Sequence, residues 1–332
     1  MRKEEQSSGI SIVVPFLNES EGIELFCSTL DAHAKTLPFP VELIFVDDGS
    51  TDDTVEKLTD FSFQHVANAK VIRFSKNYGS HAAIRAGFLH ASYDICTWMG
   101  SDLQEPLEFL AESWQKIREG YDAIYIEKKT VGVSAGNRAF SKIYSHLMQK
   151  YAVSSYSSGG ISVIVINRKI RDYLNANVES NSSIMLQIMD AGFRYCTLSM
   201  DFHERATGVS KWTLKKKIKL FIDSFVAFSF MPIRLVSIVG VMLFLAGIVI
   251  GVGAIINKIL TPQAPMGYTT LICLLALGFG VTNIALGIIA EYLWRTYDAA
   301  RRRPVFLISE ERDLSVQSVA GSESEIGTTQ EV

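Results

Sequence analysis

Two adjacent carboxylates, Asp47 and Asp48, close an apolar run in the segment LIFVDDGSTDDT, from Leu43 to Thr54. Four apolar residues in a row predict a strand covered on both faces, and the Gly-Ser-Thr-Asp cluster after them predicts a turn followed by a helix cap. In an open α/β sheet, ligands bind at the carboxyl ends of the strands. Paired acids at such an end can accept hydrogen bonds from a base N–H and from ribose hydroxyl groups. The alternative is a turn-capping Asp47 beside a solvated Asp48. Three further polar segments stand at the ends of apolar runs or near them: VPFLNE (Val14 to Glu19), MGSDLQEP (Met99 to Pro106) and HERATGVSKW (His203 to Trp212).

The elements that must position these segments alternate in type. Ile10 to Val14, Val41 to Val46, Lys70 to Phe74, Asp94 to Met99 and Tyr121 to Ile126 read as short strands, separated by helix-length segments such as Glu21 to Leu37 and Asp53 to Val66. That alternation predicts a largely parallel sheet wrapped by helices. A helix at Ala135 to Tyr151, a strand at Ile161 to Ile166, a helix near Ser183 to Ala191 and a strand at Tyr195 to Met200 complete the domain, with no internal repeat.

Taken together and in this order, the four segments resemble the inverting GT-A glycosyltransferases. Within them the likeness is to the polyprenyl-phosphate sugar synthases, the group of dolichol-phosphate mannose synthase and the bacterial undecaprenyl-phosphate glucosyltransferases. It runs from about Ile10 to Tyr297. The resemblance implies an α/β fold of GT-A type: a Rossmann-like, mostly parallel sheet over residues 1–205, then an amphipathic juxtamembrane segment (206–232), two transmembrane helices (233–294) and a polar cytoplasmic tail (295–332). It assigns the nucleotide to Pro15, Leu17, Glu19, Asp47, Asp48 and Asp102, and a Mg2+ or Mn2+ ion to Asp102 and Gln104. Magnesium and manganese take oxygen ligands and complete their shells with water and substrate phosphates. Asp102 can also be read as a helix N-cap ahead of Pro106.

The same resemblance places Arg205, with Ser210 and Lys211, between donor pyrophosphate and acceptor phosphate, and Arg138, Lys128 and Lys129 near the other phosphate-binding cations. Arg205 and Asp102 carry the catalytic assignment. Arginine suits the task because its fork binds phosphate in two places and stays charged. Two departures from the family pattern stand out. Gly100 occupies the place of the first acid of Asp-x-Asp-Leu-Gln-Asp-Pro, and Ser162, in SGGISVIVINR, occupies the place of a family aspartate. A phosphate acceptor relaxes the need for a base there, because a phosphate monoester is already largely ionised near neutral pH. Ser162 is therefore assigned as a substrate contact. His81 and His203 are read as structural.

The rest of the chain bears on location and partners. Of 332 residues, 48% are apolar and the net charge is −3, enough for a large core without a dominant charge. The charge is unevenly spread, with six cations and no acid from Arg205 to Lys219 and an acidic, polar end from Glu310 onward. Leu235 to Ile256 and Thr269 to Ala290 hold no charged residue, and each run of about 22 residues is long enough to cross about 30 Å of hydrocarbon as a helix. Lysines and arginines on the outer flanks predict that the catalytic domain and both termini are cytoplasmic, at what the resemblance makes a bacterial inner membrane. No signal peptide precedes the first strand in this reading. Thr213 to Phe230 mixes lysines with aromatics, as an interfacial helix does, and no nucleic-acid partner is expected. Cys27, Cys96, Cys196 and Cys273 lack metal spacing and read as reduced thiols.

The partners expected are thus a nucleotide-sugar donor, UDP-hexose in preference, a polyprenyl-phosphate acceptor, the membrane and, by resemblance, further copies in a homo-oligomer such as a tetramer. Two alternatives stay open. One is a processive polysaccharide synthase, although its Gln-x-x-Arg-Trp segment is absent; the other is a catalytically silent scaffold, which Gly100 and Ser162 favour.

Overall fold

A computed structural model describes residues 8–129, 161–178, 183–203, 231–260, 268–301 and 304–316, with single positions at 146, 149 and 150. The elements follow the expected alternation: β1 (Ile10–Phe16), α1 (Ile23–Ala34), β2 (Val41–Asp47), α2 (Thr54–Asp60), β3 (Asn68–Phe74), α3 (Ser80–Leu89), β4 (Ile95–Trp98), α4 (Phe109–Arg118) and β5 (Ala123–Lys128). Then come β6 (Ile161–Ile166), α5 (Arg168–Ala176), α6 (Ile184–Asp190), β7 (Tyr195–Met200), α7 (Met231–Leu260), α8 (Tyr268–Arg301) and β8 (Ile308–Asp313). The predicted second helix, Asp53 to Val66, is half that length. The chain leaves α2 at Phe61 in extended backbone, and Phe63 is fully buried in the core. The helix expected at Ala135 to Tyr151 and the amphipathic segment Thr213 to Phe230 lie wholly or almost wholly outside the described residues.

The strands form one sheet in the order β7, β5, β6, β4, β1, β2, β3, β8. β1 pairs in parallel with β2 and β4, β2 with β3, and β5 with β7, while β6 and β8 run against their neighbours. It follows that the carboxyl ends of β1, β2, β4, β5 and β7 share one edge of the sheet, and that the antiparallel β6 starts there. Two apolar layers explain why the sheet holds. β2 is buried along its whole length, with Leu43 and Phe45 packed toward α1 and Ile44 and Val46 toward α3. Such strands read as continuous apolar runs because both faces are covered by helices.

Close approach of α3 to β1 requires a glycine. A Cβ on Gly87 would lie 2.3 Å from Cγ1 of Val13 and 2.5 Å from its Cγ2. Beneath this contact the carboxylate of Glu42, also fully buried, accepts from Ser11 Oγ at 2.6 Å and from the backbone N–H and Oγ of Ser92, both at 2.8 Å. That network fastens β1, β2 and the turn into β4 at the edge opposite the site.

Part of the segment read as a polar tail is ordered: residues 308–313 return to the sheet as β8, antiparallel to β3 from Lys70 to Phe74. Four consecutive charged residues in ISEERD hide the strand, because β8 is an edge strand whose side chains mostly face solvent. Leu314 is buried nonetheless, and Phe63 N–H donates to the Ser315 carbonyl at 3.1 Å.

The two uncharged runs fall inside α7 and α8, of 30 and 34 residues. Large apolar side chains project outward all along them, including Val249 at 72%, Ile259 at 73% and Phe279 at 67% exposure. Among the described residues, no helix is long and apolar enough to cross a membrane.

Replacing Gly87 by alanine gains about 1 kcal/mol of helix propensity but forces Val13 and β1 to shift, an overpacking penalty of about 1–3 kcal/mol. The expected net effect is a melting temperature several degrees lower, read by differential scanning fluorimetry of the purified chain. An unchanged or higher midpoint would show that α3 can slide away from β1 freely.

Candidate active site

The site is built from loops at the shared strand edge. β1 ends in Pro15 and Phe16, and the loop beyond it turns through Asn18 in the left-handed region, at φ 52°. This loop is laced to the turn after β2. Asn18 N–H donates to Ser50 Oγ at 2.9 Å, Thr51 N–H to Asn18 Oδ1 at 2.8 Å, Glu19 N–H to Thr54 Oγ1 at 3.0 Å, and Asp48 N–H to the Phe16 carbonyl at 3.0 Å. The loop of Pro15, Leu17 and Glu19 thus stands beside the turn of Asp47 and Asp48.

The two acids have different surroundings. Asp47 is fully buried; its Oδ1 accepts the Ser50 N–H at 2.8 Å, and its Oδ2 lies 3.1 Å from Nε of Arg73. Arg73 also donates to the Ser50 carbonyl at 3.0 Å, so one guanidinium grips the acid and its turn together. Asp48 is buried as well, and it receives the N–H of Tyr78 at 2.6 Å and of Gly79 at 2.9 Å. Burial pushes the Asp48 carboxyl above its ordinary range, the Tyr78 and Gly79 N–H groups pull it back, and neighbouring Asp47 adds to the rise. Asp48 is therefore not a solvated acid: it organises the loop that leads into α3. Gly49 sits between loop and turn at φ 84°, where a Cβ would meet the Lys76 carbonyl carbon at 2.9 Å. Only glycine suits both that conformation and that contact.

After β4, Met99 N–H donates to the Val13 carbonyl, and the chain runs through Gly100 to Pro106. Leu103 takes a left-handed conformation at φ 53°, and the Gln104 carbonyl accepts from His203 N–H at 2.9 Å, bringing the loop after β7 onto it. Asp102 does not cap the next helix, since α4 starts only at Phe109 with Glu108 in the N-cap position. Its carboxylate turns back instead. A Cβ on Gly100 would lie 2.9 Å from Asp102 Oδ1 and 3.8 Å from Glu105 Oε2, so both acids crowd the space beside the glycine. Among the described residues no three metal-ligating side chains gather closely enough to hold an ion by themselves.

Lys128 and Lys129 stand exposed at the end of β5, Lys129 paired with Asp201 at 3.1 Å and Lys128 over the ring of Phe202. Ser162, the second residue of β6, lies at the same edge, in the register shift between Ile161, paired with Glu127, and Val163, paired with Ile126. Arg138, Arg205, Ser210 and Lys211 lie outside the described residues. His81 sits at the start of α3 with its basicity lowered by burial and then by Arg85, and His203 serves through its backbone. Sequence reasoning did not single out Arg73, whose register with Asp47 on β3 appears only in the structure, without a signal in the sequence.

The model of Glycosyl transferase family 2 matches residues 11–178, a stretch that holds the Asp47–Asp48 turn, the Asp102 loop and Ser162. The chain belongs to this family. It is a glycosyltransferase with a GT-A-like, mostly parallel α/β domain. Among its relatives, the undecaprenyl-phosphate 4-deoxy-4-formamido-L-arabinose transferase of Photorhabdus laumondii is 30% identical over 92% of this chain and 95% of that protein. The protein of the same name from Yersinia enterocolitica is 29% identical over 93% and 95%. Glucosyl-3-phosphoglycerate synthase from Mycobacterium tuberculosis, solved with Mn2+, UDP and phosphoglyceric acid, aligns over 68% of this chain and 78% of that chain at 17% identity and a TM-score of 0.46.

Removing Arg73 leaves the Asp47 carboxylate buried without its cation. Loss of one partner of a buried pair reaches about 3–5 kcal/mol. Here the guanidinium is 35% exposed, so solvent screening brings the expected loss nearer to about 1 kcal/mol. Arg73→Ala should lower the melting temperature by a few degrees and weaken nucleoside diphosphate binding, and Arg73→Lys should recover part of both.

Proposed function

We propose that the chain is a membrane-bound inverting glycosyltransferase. It moves a hexose from a nucleotide-sugar, UDP-hexose in preference, to polyprenyl (undecaprenyl) phosphate, and the lipid-linked sugar serves cell-envelope glycan modification. The observation that carries this reading is the convergence, on one sheet edge, of the Asp47–Asp48 turn, the Asp102 loop, Lys128, Lys129 and Ser162. It draws further support from relatives named as undecaprenyl-phosphate transferases that align beyond the catalytic domain, across more than nine-tenths of the chain.

Each part has a physical task. Pro15, Leu17 and Glu19 line the base side, with Asp47 and Asp48 bounding the nucleoside end. Both acids hold backbone donors already, yet a carboxylate oxygen has a second lone pair for a ligand N–H or hydroxyl. The diphosphate needs opposite charge. Oxygen donors on Asp102 and Gln104, with Glu105 adjacent, fit a Mg2+ or Mn2+ ion that draws its remaining ligands from phosphate and water, and such an ion would neutralise charge on the leaving diphosphate. Arg205, Ser210 and Lys211 are assigned to bridge donor and acceptor phosphates, with Arg138, Lys128 and Lys129 as further cations. The acceptor phosphate arrives ionised, so it needs alignment with the anomeric carbon more than a base, and Ser162 in place of an acid fits that demand.

The acceptor is a lipid, which explains the remainder of the chain. The uncharged runs inside α7 and α8 are assigned as two membrane spans, with the basic segment between residues 205 and 219 at the cytoplasmic headgroups. Side chains such as Val249 and Phe279, exposed on those helices, find an apolar solvent in the bilayer.

Full-length protein in vesicles containing undecaprenyl phosphate, given radiolabelled nucleotide-sugars one at a time, should yield one labelled lipid product on thin-layer separation. Asp102→Ala and Arg205→Ala should each lower that transfer on the order of 100-fold or more with the fold retained. Undiminished transfer in either variant removes the role assigned to that residue. A scaffold, by contrast, should bind UDP no better with Mn2+ than without it in a calorimetric titration.

A further inference from the structure

The loop of residues 75–79, between β3 and α3, is held from two sides. On one side it meets the nucleoside turn: Tyr78 and Gly79 donate to Asp48, and the Lys76 backbone fills the space over Gly49. On the other side it meets the end of the chain. Ser75 N–H donates to the Leu307 carbonyl at 3.0 Å, and Ser309 Oγ donates to the Arg73 carbonyl at 3.1 Å. The ring of Phe306 stacks on Phe74 at 5.0 Å and 16°, Phe74 meets Tyr78 edge to face at 5.6 Å, and the Tyr78 hydroxyl reaches Ser75 Oγ at 3.3 Å. Ser75, Lys76 and Asn77 are themselves exposed, so the loop has little apolar surface of its own to fix it.

We infer that the tail is a positioning element of the donor site: Phe306 and β8 press the 75–79 loop onto the Asp48–Gly49 turn and thereby set the affinity for the nucleotide. This rests on the donor-site reading above. Phe306 touches no reacting group in this scheme. It acts through Phe74 and Tyr78 on the orientation of Asp48, and through the β8–β3 pairing on Arg73 and Asp47. The tail also follows closely on α8. Four residues separate Arg301 from Phe306, and the five steps between them reach at most about 18 Å, so the end of that helix is tethered close to the Asp48–Gly49 turn.

A stacked aromatic pair is worth a factor of about three to ten in an equilibrium it favours. In calorimetry on the full-length protein, Phe306→Ala should therefore raise the Kd for UDP by about three- to tenfold. Transfer should show the loss in KM for the nucleotide-sugar, with kcat at saturating donor within about twofold of wild type. Phe306→Tyr, which keeps the stack, should restore the wild-type Kd. Phe39→Ala, which removes a ring stacked on Trp114 at 4.3 Å in the other apolar layer, should lower the melting temperature without moving the Kd. If the alanine variant does not fold, Phe306→Leu carries the same readout. Wild-type binding with an unchanged Kd in the Phe306 variant overturns the inference alone. A wild-type protein that binds neither UDP nor GDP overturns the donor-site reading and this inference with it.

Discussion

Two carboxylates buried side by side at the end of a strand repel each other and lose their water, so they persist only if the fold supplies donors to both. Asp47 accepts the Ser50 N–H and has the Arg73 guanidinium as its ion-pair partner at 3.1 Å, and Asp48 accepts the N–H groups of Tyr78 and Gly79. That requirement reaches far into the molecule. It demands a turn at Gly49 that no side chain can enter, a loop at 75–79 that aims its backbone inward, and a third strand in register to bring Arg73 across. Burying charge without such partners is among the most unfavourable things a fold can do. The two acids are therefore held in place by contacts from within the protein itself.

The loop beside it is organised on a different principle. Gly100 leaves room, and Asp102 and Glu105 turn toward that room. Where relatives of the resembling group place a further acid, this chain keeps the space for the side chain two residues on. With only oxygen donors close by and no third metal-ligating side chain at hand among the described residues, the protein part of any ion site here is sparse. A sparse site takes its affinity from the substrate phosphates, and metal and donor binding become mutually dependent.

Placement of the tail joins the two halves of the molecule. β8 covers the free edge of β3, which would otherwise present unpaired backbone groups, and it does so with a segment that follows directly on the last long helix. The same residues that finish the sheet, Phe306 and Leu307, lean on the loop that serves Asp48. The last long helix and the loop that serves Asp48 are thus only a few residues apart.

Much of this was legible in the residues alone. Continuous apolar runs bounded by turn residues marked β1, β2 and β6 nearly to their ends, since a strand buried on both faces has to be apolar almost throughout, while β3 and β7 were legible from mixed apolar and polar residues. The placing of acids and glycine after such runs marked the turns at Asp47–Gly49 and Gly100–Pro106 at the carboxyl ends of the strands, because strand ends of an α/β sheet are where polar groups can meet a ligand. Other features were decided only by tertiary structure. Arg73 looks like an ordinary strand cation until the register of β2 and β3 puts it against Asp47. Asp48 looks solvated until the 75–79 loop folds over it. ISEERD looks like a charged tail until the edge of β3 offers its backbone a partner. In each case the deciding contact joins residues distant in sequence, and local propensity carries no record of the partner's approach.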